Sequence, residues 1–287
     1  MSACAADILS IEIPAPFIED LSEHISDRYH IVELLGVGGM GVVYLARDSR
    51  LMRQVALKVL DEELVAHHSA RRRMLQEAVA LGRIDHPNVV RLYDTWDSNG
   101  RLVLVLEYVA GGTLTQHIGD EGAPLDHALY WLQGVLAGLQ AIHDVGLVHR
   151  DIKPSNLMVS PSPLNAENKW APGPKPGRLK ILDMGLARVQ REEDGQAELT
   201  QMGSFLGTPD YIAPEQADDP RCADTRSDLY SLGCTLHFLL TGQVPYPGGT
   251  MVQKIKKHHS AELPDTRALR PDLPEGLEAI LRKLMAK

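Results

Sequence analysis

His149-Arg150-Asp151-Ile152-Lys153-Pro154-Ser155-Asn156 puts a carboxylate, an ammonium and a carboxamide within six residues, Asp151 to Asn156. Just upstream, Leu129, Leu132, Val135, Leu136, Leu139 and Ile142 recur at three- and four-residue steps, the period of a buried amphipathic helix that Gly146 ends. A polar string at the exit of such a helix could be an ordinary solvated loop. The residues on either side argue against that. Downstream, the apolar run Leu179 to Leu182 brings Asp183-Met184-Gly185 to a strand end, and Ala213-Pro214-Glu215 follows.

Upstream, GVGGMGVV at 36–43 has the glycine spacing that lets a backbone turn tightly and approach phosphates closely, since no Cβ intervenes. By itself it would also fit a dinucleotide-binding turn, which opens a helix after its last glycine. Here Val42, Val43, Tyr44 and Leu45 follow Gly41 and favour a strand. The pattern therefore predicts a hairpin flap. Val55-Ala56-Leu57-Lys58 places a cation in an apolar strand, either a solvated edge residue or a buried charge awaiting an anion. Glu77, on a helix expected at about 69–83 with Met74, Leu75, Val79 and Leu81 as its apolar face, is the candidate partner.

Composition bounds the rest. The 287 residues carry 29 Lys plus Arg against 38 Asp plus Glu, a net charge of −9 that disfavours a whole-chain nucleic-acid binder. The longest apolar runs, such as LVLVL at 102–106, fall far short of the ~18 residues of a membrane span. Three scattered cysteines (Cys4, Cys222, Cys234) suit reduced thiols rather than a disulfide framework or metal site. Residues 1–27 hold six acidic residues and no Lys or Arg, the opposite of a secretory or transit signal, and read as a flexible acidic leader. Short β-branched runs from Tyr29 to Val109 predict a β-rich lobe, and Leu-rich stripes at 229–240 and 277–284 predict helices beyond it. Residues 160–178, with five prolines, read as an exposed insertion and a candidate docking segment. The adjacent histidines His67-His68 and His258-His259 cannot face one point from a helix and read as solvated surface.

In this order, GVGGMGVVY, HRDIKPSN and GTPDYIAPEQA resemble the bacterial branch of the eukaryotic-like Ser/Thr protein kinases, over residues 29–287. The resemblance implies an α+β, bilobal fold with an N-lobe at 28–108 and a mostly helical C-lobe at 109–287. It implies transfer of the γ-phosphoryl of MgATP (or MnATP) to protein Ser or Thr hydroxyls, including the chain's own. Gly36, Val37, Gly38, Gly39 and Gly41 would cover the phosphates, and Lys58, oriented by Glu77, would hold them. Val43, Ala56 and Leu157 would sandwich adenine, with Glu107 and Val109 in the hinge and Leu106 as gatekeeper. Asp151 would take or orient the substrate hydroxyl proton, Lys153 would stabilise the transferred group, and Asn156 and Asp183 would hold the metal. Thr200 and Ser204 are candidate phosphosites facing Arg150, and Thr208 a substrate-pocket residue. His149, Arg150, Glu215 and Asp228 would brace the loop.

Three departures stand out. Met184 replaces the usual Phe, and is expected to pack with Leu81, Leu92 and His149. The 160–178 segment separates the two metal ligands. Family members continue past LRKLMAK into a segment whose Arg pairs with the Glu215 position, so incomplete C-terminal helices and a less stable C-lobe are expected. The competing expectation is a pseudokinase that binds ATP without transfer; a dinucleotide-binding oxidoreductase would need a helix directly after Gly41. The implied setting is the cytoplasm, with protein substrates, a homodimer for autophosphorylation and no nucleic acid; a longer parent protein could be membrane-anchored.

Overall fold

The structure is a computed structural model that describes residues 27–38, 41–62, 68–98, 101–160, 176–183 and 209–287. Five strands open the fold: β1 (Tyr29–Gly38), β2 (Gly41–Asp48), β3 (Arg53–Leu60), β4 (Leu92–Ser98) and β5 (Arg101–Glu107). They form one antiparallel sheet in the order β1-β2-β3-β5-β4, with helix α1 (His68–Leu81) between β3 and β4 in the chain. Central strand β3 is apolar on both faces because both are covered. Val55, Leu57 and Val59 join Tyr44, Val103, Val105 and Tyr29 in an outer cluster, whereas Ala56 and Leu60 face the main core. The period of two puts Lys58 on that inner face. On the outer side the Tyr29 ring stacks on Trp96, with 5.3 Å between centroids, so the start of β1 lies over β4.

Helix α1 corrects one expectation. Its inward stripe is Met74, Ala78 and Leu81, while Leu75 and Val79 point outward, 36% and 56% exposed. Steps of four and three from Met74 stay on one helix face, and each outward residue lies one position beyond that stripe, about 100° around the helix.

The second lobe begins with β6 (Gly112–Thr113), α2 (Leu114–His117) and the long α3 (Leu125–Asp144). Trp131, Leu132, Val135, Leu139 and Ile142 of α3 are buried, and Gly146 follows with φ +79°. Strands β7 (Leu157–Val159) and β8 (Leu179–Ile181) pair antiparallel and join β6 in a small sheet. The ends of the proline-rich segment meet there, as Ser160 N–H donates to the Arg178 carbonyl at 3.0 Å. Then come α4 (Pro214–Asp218), α5 (Thr225–Thr241), α6 (Met251–Ser260), α7 (Thr266–Leu269) and α8 (Glu275–Leu284). Helix α5 is buried almost all round and forms the axis of the lobe. Asp224 caps its start, and Gly242, at φ +72°, ends it in the left-handed conformation that glycine adopts without strain.

His258 of α6 corrects a second expectation. It is fully buried, not solvated, with Nδ1 2.9 Å from the Tyr230 hydroxyl and its ring edge-on to Tyr230 and Tyr246. Its neighbour His259 stays near the surface beside Asp218. Adjacent helix positions point about 100° apart, so one can be core while the next is solvated.

Candidate active site

The site lies where the inner face of the large sheet meets the small sheet and the loop after α3. Gly36, Val37 and Gly38 pair with Val43, Val42 and Gly41 in the β1–β2 hairpin. Gly41 has φ +131°, and a Cβ there would come within 2.0 Å of the Val59 carbonyl oxygen, so β2 packs on β3 only with glycine. Gly36 and Gly38 differ: a Cβ at either would meet nothing within 4 Å. No contact among the described residues requires those two to be glycine, and the space beside them is open. Behind it, Val43, Ala56, Leu106, Val109 and Leu157 belong to one apolar cluster.

The loop after α3 is held by Asp228, a fully buried residue of α5. Its carboxylate accepts from His149 N–H (2.9 Å), Arg150 N–H (2.7 Å) and His143 Nε2 (2.8 Å). Those bonds fix Arg150 at φ +64°, a left-handed conformation costing a non-glycine residue roughly 1–2 kcal/mol. Gln216 Nε2 adds a bond to the Arg150 carbonyl at 2.7 Å. His149, also fully buried, accepts from Asp151 N–H at Nδ1 and donates from Nε2 to the Leu182 carbonyl at 2.8 Å, which sets its tautomer.

Asp151, Lys153 and Asn156 form one bonded unit. Asn156 Nδ2 donates to Asp151 Oδ2 at 2.9 Å and to its carbonyl at 2.8 Å, and Lys153 Nζ lies 3.0 Å from Asp151 Oδ2. Asn156 thus commits its amide nitrogen and leaves Oδ1 without a hydrogen bond among the described residues. Leu182 N–H donates to the Asn156 carbonyl at 2.8 Å, bringing Asp183 beside Asn156. Asp183, at φ +47°, receives Lys58 Nζ on Oδ1 at 2.5 Å. Burial by itself would raise the Asp183 carboxyl, but the Lys58 ammonium, helped by His149 and Lys153, outweighs it and holds the group below its usual range.

Lys58 therefore does not meet Glu77: among the described residues no ion pair joins them, and Asp183 takes the ammonium instead. Glu77 is half-buried on α1, where burial raises its carboxyl while the charges of Arg150 and Arg73 lower it. Glu215 accepts from Ser227 Oγ at 2.5 Å. Gly39, Met184, Thr200, Ser204 and Thr208 lie outside the described residues.

Two contacts had no advance signal. Lys180 Nζ reaches Glu107 Oε2 at 2.7 Å, and Lys254 of α6 reaches the buried Asp210 at 2.6 Å. Both join residues more than 40 positions apart, and only a family-level charge pattern in many sequences could have exposed them.

Residues 29–287 match the model of the protein kinase domain. The chain belongs to the protein kinase family. This kinase is 39% identical over 263 residues to serine/threonine-protein kinase pkn2 of Myxococcus xanthus, covering 91% of this chain and 30% of that one. It is 37% identical over 269 residues to PknB of Mycobacterium tuberculosis (92% and 40%) and 35% identical to PrkC of Bacillus subtilis (93% and 38%). The kinase chain thus spans about a third to two fifths of these relatives' length. Its fold matches the Mycobacterium tuberculosis PknI kinase domain with a TM-score of 0.66 at 27% identity, covering 91% of this chain and 88% of that one. Rad53 (residues 1–466, in complex with AMP-PNP) matches in fold at 0.72 and 23% identity, covering 94% and 64%. The bilobal α+β architecture is that of these kinases.

A protein kinase domain uses ATP and a divalent cation and acts on proteins. The glycines of the β1–β2 hairpin, the Asn156 Oδ1 left without a hydrogen bond and the Asp183 carboxylate fit those groups. Hard oxygen donors suit such a cation. No helix among the described residues is long and apolar enough to cross a membrane.

Proposed function

We propose that the chain is the catalytic domain of a Ser/Thr protein kinase that phosphorylates protein hydroxyls from MgATP, its own activation loop included. The observation that carries this reading is the bonded unit Asp151–Lys153–Asn156 set beside the Lys58–Asp183 pair. Bound MgATP would supply the transferable phosphoryl group and the charge-neutralising metal. Asn156 Oδ1 and the Asp183 carboxylate would hold Mg²⁺, or Mn²⁺ in its place. Gly36, Gly38 and Gly41 bring backbone amides over the phosphates, and Lys58 binds the α- and β-phosphates. Val43, Ala56 and Leu157 would enclose adenine, with the backbone of Glu107 and Val109 and the side chain of Leu106 at its edge.

Asp151 accepts the proton of the substrate hydroxyl. Asn156 and Lys153 keep its carboxylate aimed, and Lys153 stabilises charge on the moving phosphoryl group. We read the Lys58–Asp183 ion pair as a resting arrangement, which ends when Lys58 turns to Glu77 and frees Asp183. Arg150 then receives phosphorylated Thr200 or Ser204, added by a second copy of the chain, and Thr208 lines the acceptor pocket.

The test is phosphate transfer from MgATP to a generic protein substrate by the wild type, Asp151→Asn and Lys58→Met. Loss of transfer in both variants is expected. Equal transfer in all three sinks the assignment, and nucleotide binding without transfer in the wild type would instead make the chain a pseudokinase. Mass spectrometry of the same samples locates the acceptors, expected at Thr200 and Ser204.

A further inference from the structure

The outward face of α1 is both apolar and basic, a combination that phosphoryl transfer does not use. Arg72, Leu75, Gln76, Val79 and Arg83 line an open groove of about 600 Å³. Leu75 and Val79 are 36% and 56% exposed, and Arg72 and Arg83 have no ion-pair partner among the described residues. An exposed apolar strip flanked by unneutralised guanidinium groups suits an acidic segment with apolar side chains.

The chain carries such a segment. Residues 1–26 contain Asp7, Glu12, Glu19, Asp20 and Glu23, no Lys or Arg, and apolar residues at Ile8, Leu9, Ile11, Ile13, Phe17 and Ile18. Its attachment point is beside the groove. Arg28 is clamped onto the buried Asp48 by two bonds, at 2.9 and 3.1 Å, and reaches Asp94 of β4 at 3.6 Å. Arg71, at the edge of the groove, pairs with Asp97 of the same strand. Three residues along a strand is roughly 10 Å. A 26-residue segment spans up to roughly 85 Å when extended, so it covers that gap and the groove with chain to spare.

We propose that the N-terminal segment 1–26 docks in cis on the outer face of α1, its apolar residues on Leu75 and Val79 and its carboxylates on Arg72 and Arg83. A second copy of the chain is not needed to fill the site. The helix so covered also carries Glu77, which places the segment next to the element that gives Lys58 its alternative partner. The contact is one of binding and is tested without reference to catalysis.

The experiment uses the full chain with Val79→p-benzoylphenylalanine, made as an equal mixture of ¹⁴N- and ¹⁵N-labelled protein, irradiated and digested. Cross-links from position 79 are expected to residues 1–26 of the same isotope. Arg72→Glu/Arg83→Glu should cut their yield at least five-fold, and adding Glu12→Lys/Glu19→Lys/Asp20→Lys should restore much of it. The leader substitutions alone should give the same loss. Mixed-isotope cross-links, cross-links only to other regions, none at all, or a yield indifferent to charge reversal would each overturn the proposal.

Discussion

Replacing Asp228 probes the whole site from 79 residues away in sequence. Its carboxylate is fully buried and accepts three hydrogen bonds, two of them from the backbone N–H groups of His149 and Arg150. A hydrogen bond to a charged acceptor contributes about 1.5–3 kcal/mol, and a donor left buried without one costs about 1–3 kcal/mol. Asp228→Ala removes all three at once, and leaves Gln216, on the Arg150 carbonyl, to work against the roughly 1–2 kcal/mol of strain at Arg150. Local relaxation and water entry recover part of the loss, so the expected cost is about 3–5 kcal/mol in urea unfolding at unchanged m-value. Asp228→Asn keeps one oxygen acceptor but turns an NH₂ toward the remaining donors, and should cost about half as much. In both variants kcat should fall more than stability at the assay temperature explains, because Arg150 and Asp151 share the released backbone. A cost for Asp228→Ala below about 1 kcal/mol with kcat intact would refute the bracing argument.

Other consequences follow from single contacts. Gly41→Ala should destabilise by roughly 2 kcal/mol or more, given the φ of +131° and the Val59 oxygen in the way, whereas Gly36→Ala and Gly38→Ala should stay within about 0.5 kcal/mol of wild type in denaturant melts while weakening nucleotide binding in a titration. Burial, followed by the charge of Lys287, holds His258 down to about 4 from its ordinary 6.5. The unfolded chain therefore binds the extra proton between those values: its contribution to stability is complete above about pH 6.5 and is lost as pH falls toward 4, a change of about 3 kcal/mol. His258→Gln should flatten that part of a stability-versus-pH curve; an unchanged slope would argue against it. Lys180→Met frees the Glu107 side chain and should raise the KM for ATP several-fold with a smaller effect on kcat, which initial-rate kinetics would show.

Local pattern was enough for much of this protein. The glycine spacing and the β-branched residues after Gly41 implied a hairpin, because strand propensity and glycine's freedom are properties of neighbouring residues. The stripe from Leu129 to Ile142 implied a buried helix for the same reason, and the order of the polar strings brought Asp151, Asn156 and Asp183 together through their resemblance to kinases. Periodicity could not choose between adjacent helix positions. Leu75 and Val79 looked as suitable for the core as Met74, and His258 as solvated as His259, because which side of a helix is covered depends on what the rest of the chain places there.

What the sequence by itself determined, then, was which polar and glycine-rich strings the chain carries and on which kind of element each sits. The tertiary structure decided their partners. A single ammonium at Lys58 can satisfy one close carboxylate, and the packing of β8 and the loop after α3 offers it Asp183 rather than Glu77. Ion pairs between residues over a hundred positions apart depend on ångström-scale placement and on competition for one charge, and no local pattern encodes either.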